Sequence, residues 1–304
     1  MANEVTTTVG TTRVLTEIIE EMIGPFTRES SIMMPLMKVR SIEGVPTKQM
    51  AFPIFGNEAQ TSGSDIDVDT VTEGTAITNN AVALSEKTIS VTQYAIKTEI
   101  MDLAQKSSVG NLTQDIAREC MAQLMDKFEA LACALLSGFS NEVADSGANL
   151  TISDLLSAVT TFRINAKAAA RSGVMVLYPQ QVADAVTDAI GASTGLAPAL
   201  SNDQFFNLLG STPSSAVLGS QAGSFMGVPV LQSTHVPATQ TGANSAGAIF
   251  SAGEAIGAVM KWDPTLEFQR STVLGQIGTS LLTHWCFGVG ELRDLWGVTI
   301  RTDR

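Results

Sequence analysis

Residues 111–138, NLTQDIARECMAQLMDKFEALACALLSG, restrict this chain more than any other stretch. Leu112, Ile116, Cys120, Leu124 and Phe128 recur every fourth residue, and Met121, Met125, Leu131, Leu135 and Leu136 widen the stripe they make. That period is helical. Asn111 can cap the helix with Gln114 in the reciprocal position, and Gly138 stands at its end. At 1.5 Å per residue such a helix runs roughly 40 Å. Its apolar stripe is too wide for a helix lying on a surface, so the fold has to be built around it. The methionines on that face are packing material, not a cofactor box.

Around this helix the chain changes character several times. Residues 1–11 are polar and Thr-rich and read as an arm. Thr12 then caps a short helix whose apolar face is Val14, Leu15, Ile18, Ile19, Met22 and Ile23, ended by Gly24-Pro25. A β-rich section follows. In KQMAFPIFG, Met50, Phe52 and Ile54 alternate with polar or small neighbours, and Pro53 predicts an edge strand or a bulge, because proline cannot donate to a ladder. Residues 81–98 return as the second arm of a long, thin hairpin, with Val82, Leu84, Ile89 and Val91 as its apolar positions. From about residue 150 helix and strand alternate. Thr151 and Asp154 resemble a capping box for a helix carrying Ile152, Leu155, Leu156, Val159 and Phe162. GVMVLYP is a buried strand, and Pro179 opens a helix faced by Val182, Val186 and Ile190. DQFFNLLG predicts a short helix; SAVLG, GVPVLQ and GAIFS predict short strands. After residue 255 the pattern is β again, in IGAVMKW, TLEFQRS, SLLTHWCFGV and LWGVTIR.

Between the two arms of the hairpin lies SGSDIDVDTVTEG, which invites comparison with a calcium loop. An EF-hand loop needs glycine at its sixth position and a bidentate glutamate at its twelfth. Counted from Asp65 those positions hold Thr70 and Ala76, so the match fails twice. Asp65, Asp67 and Asp69 alternate with Ile66 and Val68, which places the three carboxylates on one face of a strand. They read as a charged ladder, a solvated face or a partner for basic residues on a neighbour, in preference to a weak divalent-ion site between chains.

Catalytic patterns are scarce. His235 and His284 are the two histidines of the chain, which excludes a multi-histidine metal centre. His284, between an apolar run and Trp285, reads as a core or interface histidine; His235, beside a turn, reads as a loop histidine. HExxH, CxxC, GxxxxGK[ST] and GxSxG are absent. FGVGELR has two glycines of a dinucleotide fingerprint, but Arg293 replaces the third, so a structural strand is the better reading. Cys120, Cys133 and Cys286 are odd in number and set among apolar residues, which predicts buried free thiols and a reducing compartment.

The charge balance excludes a further class. With 18 basic and 30 acidic residues the net charge is −12, which argues against a protein that wraps nucleic acid with basic stripes. Charged residues make up 16% of the chain, below the roughly 25% usual for globular proteins. So little surface charge implies that much of the surface is covered by other subunits. Arg40, Lys48, Arg270 and Arg293 read as individual salt-bridge donors. MANEVTTTVGTT has no apolar core of a secretory signal, and no uncharged apolar run reaches the length of a membrane span, so a soluble protein is expected.

The order of these elements, with the texts MAFPIFGNEA, EKTISVTQYAIKTEIMDLAQKS, FMGVPVLQSTHVP and GVGELRDLWGVTIR, resembles the major capsid proteins of tailed double-stranded-DNA phages, the Hong Kong ninety-seven type. The resemblance implies an α+β fold and a division of the chain. Residues 1–30 would be an N-terminal arm and 31–47 the first part of a peripheral domain. Residues 48–95 would be an extended loop and 96–145 the peripheral domain with its spine helix. An α/β axial domain would span 146–255, and 256–304 would complete the peripheral domain with C-terminal strands. It further implies a shell subunit, not an enzyme, which forms hexamers and pentamers around packaged genomic DNA. A separate scaffolding protein, a portal and possible cement proteins would be its partners, without a cofactor, metal or membrane. Asp65, Asp67, Asp69 and Glu73, with Lys48 and Arg40, would lie at the subunit interface, where aligned charges set register. Many relatives begin with a cleaved scaffolding extension; here the loop starts near residue 48 and Met1 precedes it, so a separate scaffold, or none, is expected. Lys48 and Lys87 lie on the loop, but no spacing identifies an Asn for an isopeptide cross-link. An encapsulin-like shell shares this fold, and residues 150–255 could also belong to an α/β enzyme.

Overall fold

The computed structural model describes residues 31–55, 70, 73–74, 84–107, 112–143, 148–195, 221–237, 244–271 and 278–303. Its framework is two sheets that meet over one long helix. That helix, α2 (Leu112–Ala134), continues as a 3-10 turn through Ser137. It follows a short helix α1 (Asp102–Ser107). At 23 residues α2 is about 35 Å long. Gly138 ends the 3-10 turn with φ −93°, a right-handed conformation, so it closes the helix without the left-handed cap that glycine usually supplies.

The first sheet has four strands in the order β1 (Lys38–Ser41), β10 (Ile256–Ser271), β11 (Gly278–Glu291) and β4 (Thr92–Met101). The patterns IGAVMKW and TLEFQRS prove to be one strand. β10 runs for 16 residues, and its register against β11 shifts between Met260 and Trp262 and again between Trp262 and Thr265. Pro264, which lacks an N–H, lies inside that irregularity, so the break in the pattern is a bulge and not a strand end.

The second sheet has six strands in the order β5 (Glu142–Val143), β12 (Gly297–Asp303), β9 (Asn244–Ser251), β6 (Gly173–Leu177), β8 (Val228–Gln232) and β7 (Gln221–Phe225). Every residue of β6 is buried because both of its faces are covered. Val174 and Val176 join the core under α2, while Met175 and Leu177 join a second core under α3 (Ile152–Ala166) and α4 (Pro179–Gly195). A strand covered on both faces reads as an uninterrupted apolar run, which is how GVMVL appears in the sequence. The capping box of α3 is formed as expected: Thr151 Oγ1 accepts from the Asp154 amide, and the Asp154 carboxylate accepts from the Thr151 amide. Leu155, Val159 and Phe162 are buried, but Leu156 is exposed, one step around the helix from the face that meets the sheet.

The core under α2 joins the two sheets. Leu124, Phe128, Ala132 and Leu136 pack on Val176, Ala248 and Phe250 of one sheet and on Ile256, Ala258, Trp285 and Phe287 of the other. Phe128, Trp285 and Phe287 form an aromatic cluster with centroids 4.5–5.2 Å apart, a favourable range for ring pairs. The width of the stripe seen in the sequence is the width of this seam. Cys120, Cys133 and Cys286 are free and buried. The segments DQFFNLLG and SAVLG, the residues 12–24 expected as a helix, and Asn111 lie outside the described residues.

Candidate assembly interface

A third, two-stranded sheet stands apart from the other two. β2 (Gln49–Phe55) pairs antiparallel with β3 (Leu84–Ser90), from Gln49 against Ser90 to Phe55 against Leu84, with no register shift. Pro53 therefore sits in an edge strand without a bulge. The hairpin is shorter at its base than the pattern over 81–98 suggests. After Val91 the chain turns, and residues 92–101 pair with β11 instead of with β2. The alternation of apolar residues is the same in both strands, so it does not reveal the change of partner.

What fixes the base of the hairpin is a close crossing over β10 and β11. A side chain at Gly288 would place its Cβ 2.0 Å from the carbonyl oxygen of Ser90, and one at Gly290 would meet the Ile89 side chain at 2.9 Å. At Gly257 the clash would be with Leu292 at 2.9 Å and Ile89 at 3.2 Å. Only a strand without a side chain at Gly288 admits another backbone so closely, and the other two glycines make room for the side chains of Ile89 and Leu292. The two glycines of FGVGELR are thus a crossing point for β3 and not a phosphate cradle. Ile42, Phe52, Ile89, Val259 and Leu292 fill a small core there. Polar contacts add to it: the Val91 amide donates to the Lys48 carbonyl (2.9 Å), and Lys261 Nζ donates to the Thr47 carbonyl (2.7 Å).

Of the charged residues expected at an interface, Lys48 joins this base through its carbonyl, while Arg40 lies on β1 and Glu73 in the segment that links the far ends of β2 and β3. Arg40 on β1 and Lys48 before β2 are both exposed, and Glu73 is exposed in a turn with Gly74, whose φ is +86°. Asp65, Asp67 and Asp69 lie outside the described residues. Arg293 donates to the Glu254 carboxylate (3.3 Å) and stacks 4.0 Å over the Trp296 ring. Burial pushes the Glu291 carboxyl above its ordinary range and the neighbouring Asp294 adds to this, while Lys87 on β3 opposes it. Burial likewise raises the Cys286 thiol, against a smaller pull from Lys261, which keeps it in the neutral form.

Glu129 was not singled out by its sequence context, yet it is the most buried charged side chain described. Its carboxylate accepts from Ser31 Oγ (2.7 Å) and from the amides of Ile32 and Met33 (both 3.0 Å). A carboxylate so placed ties the chain that follows residues 1–30 to the C-terminal third of α2. The available signal was positional: Glu129 lies four residues after Met125 and four before Cys133, on the edge of the apolar stripe. Gln181 is a second such case. Fully buried, it donates to Thr302 Oγ1 (2.8 Å) and to the carbonyls of Ser245 and Ile300, and accepts from the Tyr178 amide. Of the histidines, His284 Nε2 lies 3.0 Å from Thr265 Oγ1, and His235 Nε2 lies 4.0 Å from Asp126 Oδ1. Among the described residues no helix is long and apolar enough to cross a membrane.

Comparison with known proteins gives a fold. No family model matches the chain, and no curated protein matches it. Among solved structures, the capsid of cyanophage P-SCSP1u is similar over 94% of this chain and 93% of its own, with a TM-score of 0.68 and 18% identity. The mature capsid of bacteriophage PhiM1 is similar over 94% and 91%, with a TM-score of 0.67 and 12% identity. The holo-SrpI encapsulin complex from Synechococcus elongatus is similar over 95% and 93%, with a TM-score of 0.61 and 13% identity. The chain therefore has the α+β fold of phage major capsid subunits, the fold that its order of elements resembles.

Proposed function

We propose that this chain, with a capsid fold over nearly its whole length, is a structural subunit of an icosahedral virus shell and not an enzyme. It self-assembles into hexamers and pentamers that enclose a double-stranded DNA genome. The observation that carries this reading is the hairpin crossing at Gly257, Gly288 and Gly290, within a fold shared with phage capsids over nearly the whole chain. The crossing packs the base of a two-stranded element onto the sheet beneath it. A projection with almost no core of its own gains most by lying on a neighbour. On this reading residues 48–95 overlie an adjacent subunit, and Asp65, Asp67, Asp69 and Glu73, with Lys48 and Arg40, set the register of that contact. The low proportion of charged residues supports it too, since a shell subunit is covered on several sides. The net charge of −12 suits a lining that borders packaged DNA without wrapping it. A separate scaffolding protein, a portal and a cement protein would be its partners, with assembly in the host cytoplasm and the virion capsid as its final place.

Electron microscopy of negatively stained, purified protein tests this directly. Closed shells that protect genome-length DNA from nuclease are the expected result. Shells filled with a packed enzyme would instead establish a nanocompartment, the reading that the encapsulin similarity favours. Subunits that stay monomeric across salt and concentration would overturn both.

A further inference from the structure

β4 closes one side of the four-stranded sheet, and no described strand continues the sheet beyond it. Its centre reads Ile96-Lys97-Thr98-Glu99-Ile100. Lys97 and Glu99 lie on the same face and are exposed, 60% and 42% at their side chains, with Nζ and Oε1 2.8 Å apart. Thr98 turns to the opposite face, where its hydroxyl lies 3.5 Å from Cys120 Sγ of α2. About Thr98 the stretch is symmetric in size and antisymmetric in charge.

That symmetry matters for an edge strand. Edges are commonly guarded by charge, and a single lysine repels its own copy when two edges meet. Here the charges do the reverse in one register. If a second copy pairs antiparallel with Thr98 opposite Thr98, Lys97 meets Glu99 of the second copy, and Glu99 meets Lys97. Ile96 then faces Ile100 and the reverse, apolar against apolar. Slipping the register by two residues centres the pair on Lys97 or on Glu99, and each slip places like charges directly opposite. One register is attractive and its neighbours are repulsive. Such self-complementarity about a twofold axis is what an isologous contact requires.

We propose that β4 is the surface through which two copies of this chain join about a twofold axis, continuing one four-stranded sheet into the other. The occupant is a second copy because the charge pattern of β4 complements itself in one antiparallel register. The contact rests on the reading of the chain as a shell subunit, where it would link copies that the hairpin does not.

The test separates pairing between copies from the pair within one chain. Lys97→Glu and Glu99→Lys are made singly, and each variant is confirmed to be folded by circular dichroism. Each alone sets like charges opposite each other in the proposed contact, and should raise the protein concentration needed for assembly about tenfold. Mixed in equal amounts, the two variants restore both opposite-charge pairs, and assembly should return to the wild-type range. A merely intrachain role predicts no rescue by mixing, since each chain keeps its own defect. Failure of the mixture to rescue, or single variants that assemble like wild type, overturns the proposal while leaving the shell reading intact if wild type forms shells. If wild type forms none, the shell reading fails. The same mixing, followed on dimers by sedimentation velocity, then decides the contact by itself.

Discussion

At the scale of single residues, two carboxylates behave in opposite ways. Glu129 is buried but fully engaged, so its removal strands the Ile32 and Met33 amides in the core. Leaving two such donors without partners costs about 2–5 kcal/mol. Glu129→Ala should therefore lower the denaturation midpoint strongly, and hydrogen exchange at Ile32 and Met33 should speed up more than exchange in α2. Exchange unchanged at those two amides would show that the carboxylate does not hold the segment. Glu291 is a liability. Its folded-state pKa lies above the ordinary 4.5 because of burial and then Asp294. Between those two values the folded chain binds more protons than the unfolded one, so stability falls as pH rises through that window and stays lower above it. Glu291→Gln should melt higher than wild type at pH 7, with the advantage shrinking to nothing below about pH 4. A melting difference that does not change with pH would remove the electrostatic explanation.

Elements decide how the projecting hairpin is held. β2 and β3 bring little core of their own, and their position depends on glycine in the strands beneath. Gly288→Ala forces a Cβ onto the Ser90 carbonyl, a backbone atom that cannot turn aside. The subunit should lose about 1–3 kcal/mol, as overpacked sites do, but assembly should fail out of proportion because the hairpin is displaced. Gly290→Ala meets the Ile89 side chain and not a backbone atom, and should be milder. Thermal melting and particle yield measured on both variants check this; equal effects at the two sites would argue that packing, and not the angle of the hairpin, is what the glycines protect. In the sequence these glycines looked like part of a phosphate-binding fingerprint. No α-helix follows them, so they hold no phosphate, and their role depends on which strand crosses above.

For the whole molecule the question is how weak contacts would give the closed shell proposed above. If Asp65, Asp67 and Asp69 pair with basic groups on a neighbour as proposed, each surface pair would be worth about 0–1 kcal/mol, too little to matter in a monomer. Repeated over a shell, small terms accumulate through cooperative assembly. Replacement of all three by Asn should leave subunit melting almost unchanged while assembly weakens and loses part of its salt dependence. A chelator should leave wild-type shells intact. Shells that dissolve in EDTA and return with calcium would restore the metal reading that Thr70 and Ala76 argue against.

Much of this architecture was open to reading because it depends on local periodicity. The stripe of α2, the Thr151–Asp154 box, Pro179 at a helix start and the doubly buried β6 each follow from spacing along the chain, since a helix or strand face is set by its own repeat. What sequence periodicity could not show was partnership. β3 and β4 carry the same alternation, yet one pairs with β2 and the other with β11, because alternation sets which way a side chain points and not which strand lies beside it. Glu129 and Gln181 acquire their partners only when distant groups, 64 to 121 residues away in the case of the Gln181 donor bonds, are brought to them. Gly257, Gly288 and Gly290 acquire their role only when β3 crosses over them. Local pattern determined the elements of this protein; long-range contact, which turns a buried charge into an anchor and an absent side chain into a crossing point, was decided by the tertiary structure.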